Sequence, residues 1–266
     1  MVPIFASLNK LLSSARLSFA ALAILIGVSA LAEGAGDTAS DHEEGPLVEV
    51  EPSSLLPSDI TGIYLLIPYR NRRESWGQTI SIGYSSYVPI NYEPDVGAFN
   101  YRDVFGSEHL PLVEMQFAIK KNLTIGSIGG ELGVGIYKNE SDSTVVSSSL
   151  ELIPVRLGLN LYLDNLFFEP YVVPYVAGGV YTIFFDESHS AVTFKGNTQV
   201  APYYSMGLAF QLNWADREAA RISYLDSGIE NSFLYLEARQ LMASQAAADP
   251  DFSGPITWGA GVRLEF

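Results

Sequence analysis

Residues 255–266, PITWGAGVRLEF, alternate between apolar side chains and small or polar ones with a period of two. One set consists of Ile256, Trp258, Ala260, Val262, Leu264 and Phe266. Successive side chains of a β-strand point to opposite sides of the sheet, so the pattern predicts a strand with one wholly apolar face. Chain ends usually fray, and an apolar face that continues to a final phenylalanine needs apolar surroundings.

The same alternation recurs upstream and predicts eight strands in total. They span residues 76–88, 112–120, 123–137, 147–163, 167–184, 200–214, 232–242 and 256–266. Soluble strands average about 5 to 6 residues, whereas a tilted membrane strand needs about 9 to 11. The lengths therefore favour strands that cross a membrane.

The second face of these segments identifies the kind of barrel. In residues 200–214 it carries Tyr203, Ser205, Gly207, Ala209, Gln211 and Asn213. Such side chains are too small and too neutral for the solvated exterior of a lipocalin-like barrel, but they suit a narrow lumen. Only a closed barrel satisfies strand backbone groups in lipid. We therefore predict an all-β fold, a transmembrane antiparallel up-and-down β-barrel of eight strands with a short N-terminal periplasmic arm.

The connections between the predicted strands are of two kinds. KKN (120–122) and DN (164–165) are short, whereas residues 89–110, 138–146, 185–199 and 243–255 are longer and polar. Short periplasmic turns and long external loops are typical of outer-membrane barrels. One periplasmic connection departs from this rule, because residues 215–231 are long and predict a short helix. Aromatic residues near strand ends predict interfacial belts, namely Trp76, Phe167, Phe168, Tyr171, Trp214, Trp258 and Phe266.

The N-terminal region predicts a cleaved signal peptide over residues 1–32, with cleavage after about Ala32. Basic residues precede the apolar run 17–28, which is shorter than the roughly 20 residues of a spanning helix. Residues 33–75 would form an acidic periplasmic arm and a packed segment, and residues 76–266 the barrel. For the basic cluster Arg70, Arg72 and Arg73, an extra strand, a packed segment and an anchor on anionic headgroups remain open, with packing favoured.

Composition excludes some classes of partner. Fifteen Lys and Arg against thirty Asp and Glu leave a formal net charge of −15, which argues against nucleic acid, because phosphate binding needs a basic face. The chain has no cysteine, so neither disulfides nor thiolate metal sites are available. The expected partners are outer-membrane lipids and lipopolysaccharide, and no small-molecule ligand can be named.

The candidate site is a set of charged residues that parity places in the lumen. It comprises Glu114, Glu131, Arg156, Glu237 and Arg239. Counted from the periplasmic strand ends, all five fall at one depth, so the carboxylates and guanidiniums should pair. A structural salt-bridge plug is favoured over an ion or proton path. Arg263 lies nearer the periplasm and is assigned to a second layer.

A weaker candidate is DESHS (186–190) in the third external loop, where acid, histidine and serine are close in sequence. Spatial arrangement defines a catalytic triad, and adjacent loop residues rarely preorganise one. Three scattered histidines make no metal cluster, and we expect no metal, no cofactor and no enzymatic activity. The glycines of residues 126–135 lie within a strand and are expected to relieve crowding in a narrow barrel. For the tyrosine-rich first loop (87–105), a ligand or adhesion surface and a simple interfacial role remain equally open.

Two stretches resemble a known group of proteins. TWGAGVRLEF (257–266) resembles the C-terminal strand by which outer-membrane proteins are recognised by the barrel-assembly machinery, and this implies an assembly signal at Trp258, Val262, Leu264 and Phe266. IPVRLGLNLYLDNLFFEPYVVPYVAGGVYTIFFD (153–186) resembles the fourth and fifth strands of small eight-stranded barrels related to outer membrane proteins W, X and A. The sequence departs from that group in PYVAGG, the acidic extension and the long third turn.

The resemblance covers residues 76–266 and implies a location in the bacterial outer membrane. The predicted function is non-enzymatic: envelope structure, surface interaction or restricted passage of small molecules. Similarity to the protein W group implies that such molecules would be hydrophobic. A narrow ion-conducting, porin-like channel is the alternative, and a lipid-modifying barrel enzyme is a less favoured one.

Overall fold

The computed structural model describes residues 55–57, 64–94, 100–106, 109–141, 148–189, 192–246 and 249–266. The predicted signal peptide and most of the acidic arm lie outside these residues. The strands are β1 Leu55–Pro57, β2 Tyr64–Leu66, β3 Trp76–Tyr87, β4 Leu110–Asn122, β5 Ser127–Glu140, β6 Ser148–Tyr162, β7 Val172–His189, β8 Val192–Asn197, β9 Ala201–Gln211, β10 Asn231–Leu241 and β11 Thr257–Glu265. The helices are α1 Tyr69–Arg72, α2 Tyr101–Phe105 and α3 Arg217–Ser227.

Eight of the described strands close into an antiparallel barrel. The order β6-β5-β4-β3-β11-β10-β9-β7 is completed by direct pairing of β6 with β7. The C-terminal strand β11 closes the ring between β10 and β3, where Val262 lies opposite Leu234 on one side and Ile82 on the other. The prediction of an eight-stranded, all-β barrel is confirmed, and so is the architecture that the resemblance implied.

Exposure alternates along the strands as the sequence predicts. On β4, Val113 and Met115 are each 48% exposed, whereas Gln116 and Ala118 are buried. The outward face of the barrel is therefore apolar, whereas its inward face combines polar and small side chains with buried tyrosines and a few other large apolar residues. The predicted belt residues Trp76, Phe167, Phe168, Tyr171, Trp214, Trp258 and Phe266 are all exposed on the outside. A closed sheet with an apolar exterior is the form in which strands cross a lipid bilayer.

Some predicted strand ends were wrong at the periplasmic side. KKN is not a turn, because β4 pairs with β3 and β5 through residues 120–122, and the turn comprises residues 123–126. Asp164 and Asn165 lie in a longer connection, residues 163–171, so β7 begins at Val172. Residues 167 and 168 extend the apolar pattern because they belong to the interfacial belt, and alternation alone does not separate belt from strand.

The third outer connection was also predicted wrongly. Most of the described residues in 185–199 lie in strands, because β7 continues to His189 and pairs with β8 over Phe184 to His189. Polarity suggested a loop, but outside the membrane a strand needs no apolar outward face. The prediction of a helix within residues 215–231 is confirmed by α3, which Asp216 caps by accepting a hydrogen bond from the Ala219 amide at 2.9 Å. Within the described ranges, no helix combines the length and the apolarity needed to cross a membrane.

Candidate functional site: the filled barrel interior

The five charged residues predicted on one lumenal level meet in the barrel interior. Arg156 donates from Nε to Glu114 Oε1 at 3.0 Å, and Arg239 donates to the other oxygen of Glu114. Arg239 Nε also donates to Glu237 Oε1 at 2.9 Å, and Arg156 Nη1 lies 3.7 Å from Glu131 Oε1. Each of the five is at most 7% exposed. We call this set the charged layer; it ties β4, β5, β6 and β10 together across the lumen.

Neutral hydrogen-bond donors contact the two carboxylates, Glu131 and Glu237, whose oxygens the two guanidiniums do not fully occupy. Glu131 accepts hydrogen bonds from Tyr203 Oη at 2.7 Å and from Asn160 Nδ2 at 3.0 Å. Glu237 accepts one from Tyr175 Oη at 3.1 Å. Hydrogen bonds to an ionised acceptor are about twice as strong as neutral ones, so these contacts stabilise the buried carboxylates without a further cation.

Two glycines of β5 make room for the charged layer. A Cβ on Gly133 would lie 3.1 Å from Arg156 Nη2, and one on Gly135 would lie 2.7 Å from the Glu114 side chain. Larger residues at these positions would displace the ion pairs. The glycines thus relieve crowding inside a narrow barrel, as the sequence predicts.

Arg263 lies one level closer to the periplasm, in an aromatic layer. Its guanidinium carbon is 4.9, 4.6 and 5.1 Å from the ring centres of Tyr162, Tyr175 and Tyr235, and Nε donates to Ser81 Oγ at 3.0 Å. Among the described residues it forms no ion pair. Such cation–π contacts stabilise a desolvated cation. The charged layer and the aromatic layer together contain three guanidiniums and three carboxylates, so their formal charges cancel. The guanidiniums belong to Arg156, Arg239 and Arg263, and the carboxylates to Glu114, Glu131 and Glu237.

The outer end is closed by aromatic residues, several of them from the first loop. Tyr101 in α2 and Tyr137 in β5 join their hydroxyls at 2.7 Å, and Tyr87 Oη donates to the Phe252 carbonyl at 2.5 Å. Tyr92 and Phe252 stack with ring centres 4.5 Å apart. All five residues are buried and belong to one apolar cluster. These tyrosines of the first loop therefore turn into the barrel mouth instead of presenting an adhesion surface.

A serine, a histidine and a carboxylate do meet at the outer end, but the serine is not the predicted one. Ser190 lies outside the described residues. His189 Nδ1 is 2.6 Å from Ser148 Oγ, directly across the β6–β7 pair, and Nε2 is 2.6 Å from Glu187 Oε1. Tyr92 donates to the second oxygen of Glu187. Sequence reasoning missed Ser148 because only the register of β6 against β7 brings it to His189.

The periplasmic end is closed by ion pairs around Lys120. Its Nζ lies 2.7 Å from Asp164 Oδ2 and 2.7 Å from Glu265 Oε1. Tyr69 of α1 is fully buried in this end and donates from Oη to Glu265 Oε1 at 2.5 Å, and Arg73 Nη2 lies 3.3 Å from Asp164 Oδ1. The sequence held a signal for this site, because Glu265 faces inward by parity, but the assignment of Lys120 to a turn concealed it.

A second ion pair holds the segment that contains α1 to the barrel end. Arg72 donates to the carbonyls of Glu230 at 2.7 Å and Ile67 at 2.9 Å, and its Nε lies 3.0 Å from Glu230 Oε2. Burial raises the pKa of the Glu230 carboxyl to about 7, although Arg72 acts in the opposite direction. Arg70 stacks on the Phe168 ring at 5.5 Å. Of the three alternatives for the basic cluster, these contacts agree with a packed segment.

The residues implied as an assembly signal lie on the outward face of β11. Trp258 is 69% exposed and Val262 42%, while Leu264 is partly buried. Phe266 continues the pairing, because it exchanges both backbone hydrogen bonds with Gln78 at 2.9 Å. An outward apolar face is open to lipid or to a protein partner, and the recognition role stays a prediction. Within the described part of the chain, no group of three or more His, Asp or Glu side chains could hold a metal ion.

Fold and interior together define a class: a small eight-stranded membrane β-barrel with a packed, ion-paired lumen. No protein-family model matches the chain, and no curated protein matches its sequence. Among solved structures, it is similar to Ail, the attachment invasion locus protein of Yersinia pestis, with 13% identity over 73% of this chain and 100% of that one, at a TM-score of 0.39.

Two other small barrels show similar scores. The N-terminal β-barrel domain of Pseudomonas aeruginosa OprF is 15% identical over 73% of this chain and 98% of that one, at a TM-score of 0.33. Neisserial surface protein A is 9% identical with the same coverages and the same TM-score. The fold of this chain is established by its own strand register, which closes the barrel with eight strands.

Proposed function

We propose that the protein is a non-enzymatic, non-conducting barrel of the bacterial outer membrane, which acts through its surface in envelope structure or interaction. The observation that carries the proposal is the charged layer, in which two arginines and three carboxylates pair across the lumen. An eight-stranded barrel is just wide enough for side chains to fill. The aromatic layer and the two end closures add further obstacles along the same axis.

The proposed outer-membrane location is supported by the same architecture. The apolar exterior, the aromatic belts and the short turn at residues 123–126 are typical of outer-membrane barrels, whereas the other two connections at the same end are longer. In this orientation the C-terminal strand ends in the periplasm, where Trp258, Val262, Leu264 and Phe266 would be read by the barrel-assembly machinery after removal of residues 1–32. Outer-membrane lipids and lipopolysaccharide would surround the barrel.

Single-channel recording of the refolded protein in a planar bilayer tests the closed lumen. We expect the wild-type protein to insert without conducting. Arg156→Ala removes the guanidinium at the centre of the charged layer and should produce intermittent openings, whereas Lys138→Ala, which removes an exposed pair with Glu151 on the outside, should stay silent. Steady conductance by the wild-type protein would overturn the proposal in favour of the porin-like alternative.

One observation favours a second candidate, hydrolysis of an acyl ester in a lipid. Ser148, His189 and Glu187 form the hydrogen-bond chain of a nucleophile, a base and an orienting carboxylate. We rank this candidate lower, because Ser148 is only 3% exposed and faces into the barrel. In the leading proposal, the hydrogen bonds of Ser148, His189 and Glu187 hold β6 and β7 to Tyr92 of the first loop.

Labelling by a fluorophosphonate probe separates the two candidates. A hydrolase would show labelling that disappears in Ser148→Ala and persists in Ser188→Ala, a matched variant of the neighbouring outward serine that contacts Thr193. We expect no labelling of the wild-type protein and no release of fatty acid from lipid vesicles. Specific labelling at Ser148 would make the enzyme the leading candidate.

A further inference from the structure

A cavity lies at the periplasmic end of the barrel wall, separate from the filled lumen. Its volume is about 210 Å³, and its walls come from α1, from the connection before β7, and from the segment that joins β9 to α3. The residues that matter here are Arg72, Glu169, Tyr171, Gln211, Trp214 and Arg217. Neither the charged layer nor the closure around Lys120 uses this cavity.

The cavity carries one negative and one positive group without an ionic partner. Glu169 accepts hydrogen bonds from the Tyr69 amide at 3.0 Å and from Gln211 Nε2 at 3.2 Å, but no described Lys or Arg lies within ion-pair distance of it. Arg217, on the first turn of α3, is exposed and has no ion pair within the described ranges. Arg72 differs from both, because Glu230 already pairs with it.

Two aromatic residues of the cavity wall fix its depth relative to the bilayer. Tyr171 is 50% exposed and Trp214 60%, and both belong to the periplasmic belt of the barrel. Belts of this kind lie at the level of the lipid headgroups. A ligand in the cavity would thus have its polar part beside Arg217 and Glu169 and its apolar part against the outer wall of β9.

We propose that the cavity binds a zwitterionic phosphoethanolamine headgroup of a phospholipid in the periplasmic leaflet. The phosphate would pair with the guanidinium of Arg217, whose planar fork suits phosphate oxygens. The ammonium would pair with Glu169, whose carboxylate is held in place by two neutral donors. Phosphoethanolamine supplies a phosphate and an ammonium with three N–H donors in one headgroup. An anionic headgroup lacks the cation, and phosphocholine, although also zwitterionic, lacks the N–H donors.

This inference rests on the proposed membrane location, and the experiment separates the two. The refolded full chain is prepared in detergent with phosphatidylethanolamine, phosphatidylglycerol or phosphatidylcholine of identical acyl chains, and lipid retention is measured by native mass spectrometry. We expect phosphatidylethanolamine to be retained about tenfold better than the other two, the size expected for one charged hydrogen bond. Glu169→Gln should abolish that preference, because it removes the partner of the ammonium, whereas Arg217→Gln should lower the retention of all three lipids, because each carries the phosphate.

Arg221→Gln is the matched control, because Arg221 lies on the same helix but pairs with Glu218 and does not line the cavity. Its preference should equal that of the wild-type protein. Arg217 is exposed, so its variant tests the site even if Glu169→Gln fails to fold. Insertion of the same refolded protein into lipid vesicles is measured in parallel. If the protein inserts but retains all three lipids equally, or retains phosphatidylethanolamine and phosphatidylglycerol equally, the inference alone is overturned. Failure of the protein to insert into vesicles would overturn the proposed function instead.

Discussion

The two ends of the barrel are closed by different physical means. At the outer end, buried tyrosine and phenylalanine rings from the first loop, the strands and the last loop pack together, and the hydroxyls of Tyr87, Tyr101 and Tyr137 bond to one another or to backbone. At the periplasmic end, ion pairs bind α1 and its flanking residues to strand ends and turns. Contacts between neutral tyrosine hydroxyls should be insensitive to pH at acidic and neutral values, whereas the buried ionisable groups at the periplasmic end make its stability depend on pH.

The largest expected effect is at Lys120. Lys120→Met leaves the buried carboxylates of Asp164 and Glu265 without their shared cation, and such a loss costs about 3–5 kcal/mol. Urea unfolding of the refolded barrel measures the free energy. Lys121→Met, the next residue on β4, lies outside over the Trp76 ring at 5.7 Å and is the matched control. Equal effects of the two variants would contradict an ionic periplasmic closure.

A smaller effect is expected from pH, through Glu230. Because its pKa is raised from 4.5 to about 7 in the folded protein, the fold is stabilised by the protonated form. The contribution of Glu230 to the free energy of unfolding is fully present below pH 4.5 and is lost as pH rises through about 7. For a partly screened group this contribution is about 2 kcal/mol. Urea midpoints across this range, compared with Glu230→Gln, measure it. If the variant kept the same pH dependence, another group would be responsible.

At the outer closure, Tyr137→Phe removes a single buried hydroxyl. Tyr101 loses its hydroxyl partner but keeps the contact with Asn139 Nδ2 at 2.5 Å, so we expect a loss of about 1 kcal/mol. The same loss should be found at acidic and neutral pH, since no charge is involved. A pH-dependent loss in this variant would remove the distinction between the two ends.

The smallest effect is expected outside both closures. Arg221→Gln breaks an exposed pair with Glu218 on α3, and exposed pairs of this kind often contribute nothing measurable. The urea midpoint should not change relative to the wild-type protein. A clear shift would mean that α3 supports the periplasmic closure more strongly than its exposed position suggests.

The charged layer shows how far sequence reasoning reaches. Parity along β4, β5, β6 and β10 placed Glu114, Glu131, Arg156, Glu237 and Arg239 inside, and a count of residues placed them at one depth. Both steps use only the constant rise and the two-residue period of a strand. Arg263 was assigned to a second layer in the same way, but its three tyrosine neighbours come from β6, β7 and β10.

The missed contacts have a common cause. Ser148 contacts His189 across one strand pair. Lys120 contacts Asp164 and Glu265, although the three residues belong to distant parts of the chain. Tyr69, which seals that end, precedes the first barrel strand and has no periodic pattern of its own. Pairing across strands depends on register and on where turns begin, and a shift of one or two residues at a turn changes which side chains meet.

The sequence by itself determined the class of fold and the two faces of its wall, because a two-residue alternation repeated eight times can bury its backbone in lipid only as a closed barrel. It also determined that lumenal charges of both signs would lie at one level. The tertiary structure alone decided how both ends are closed, which carboxylates share a cation, and that Glu169 and Arg217 flank a cavity without pairing. Those features depend on distances between segments far apart in the chain, which only the closed register and the packed connections define.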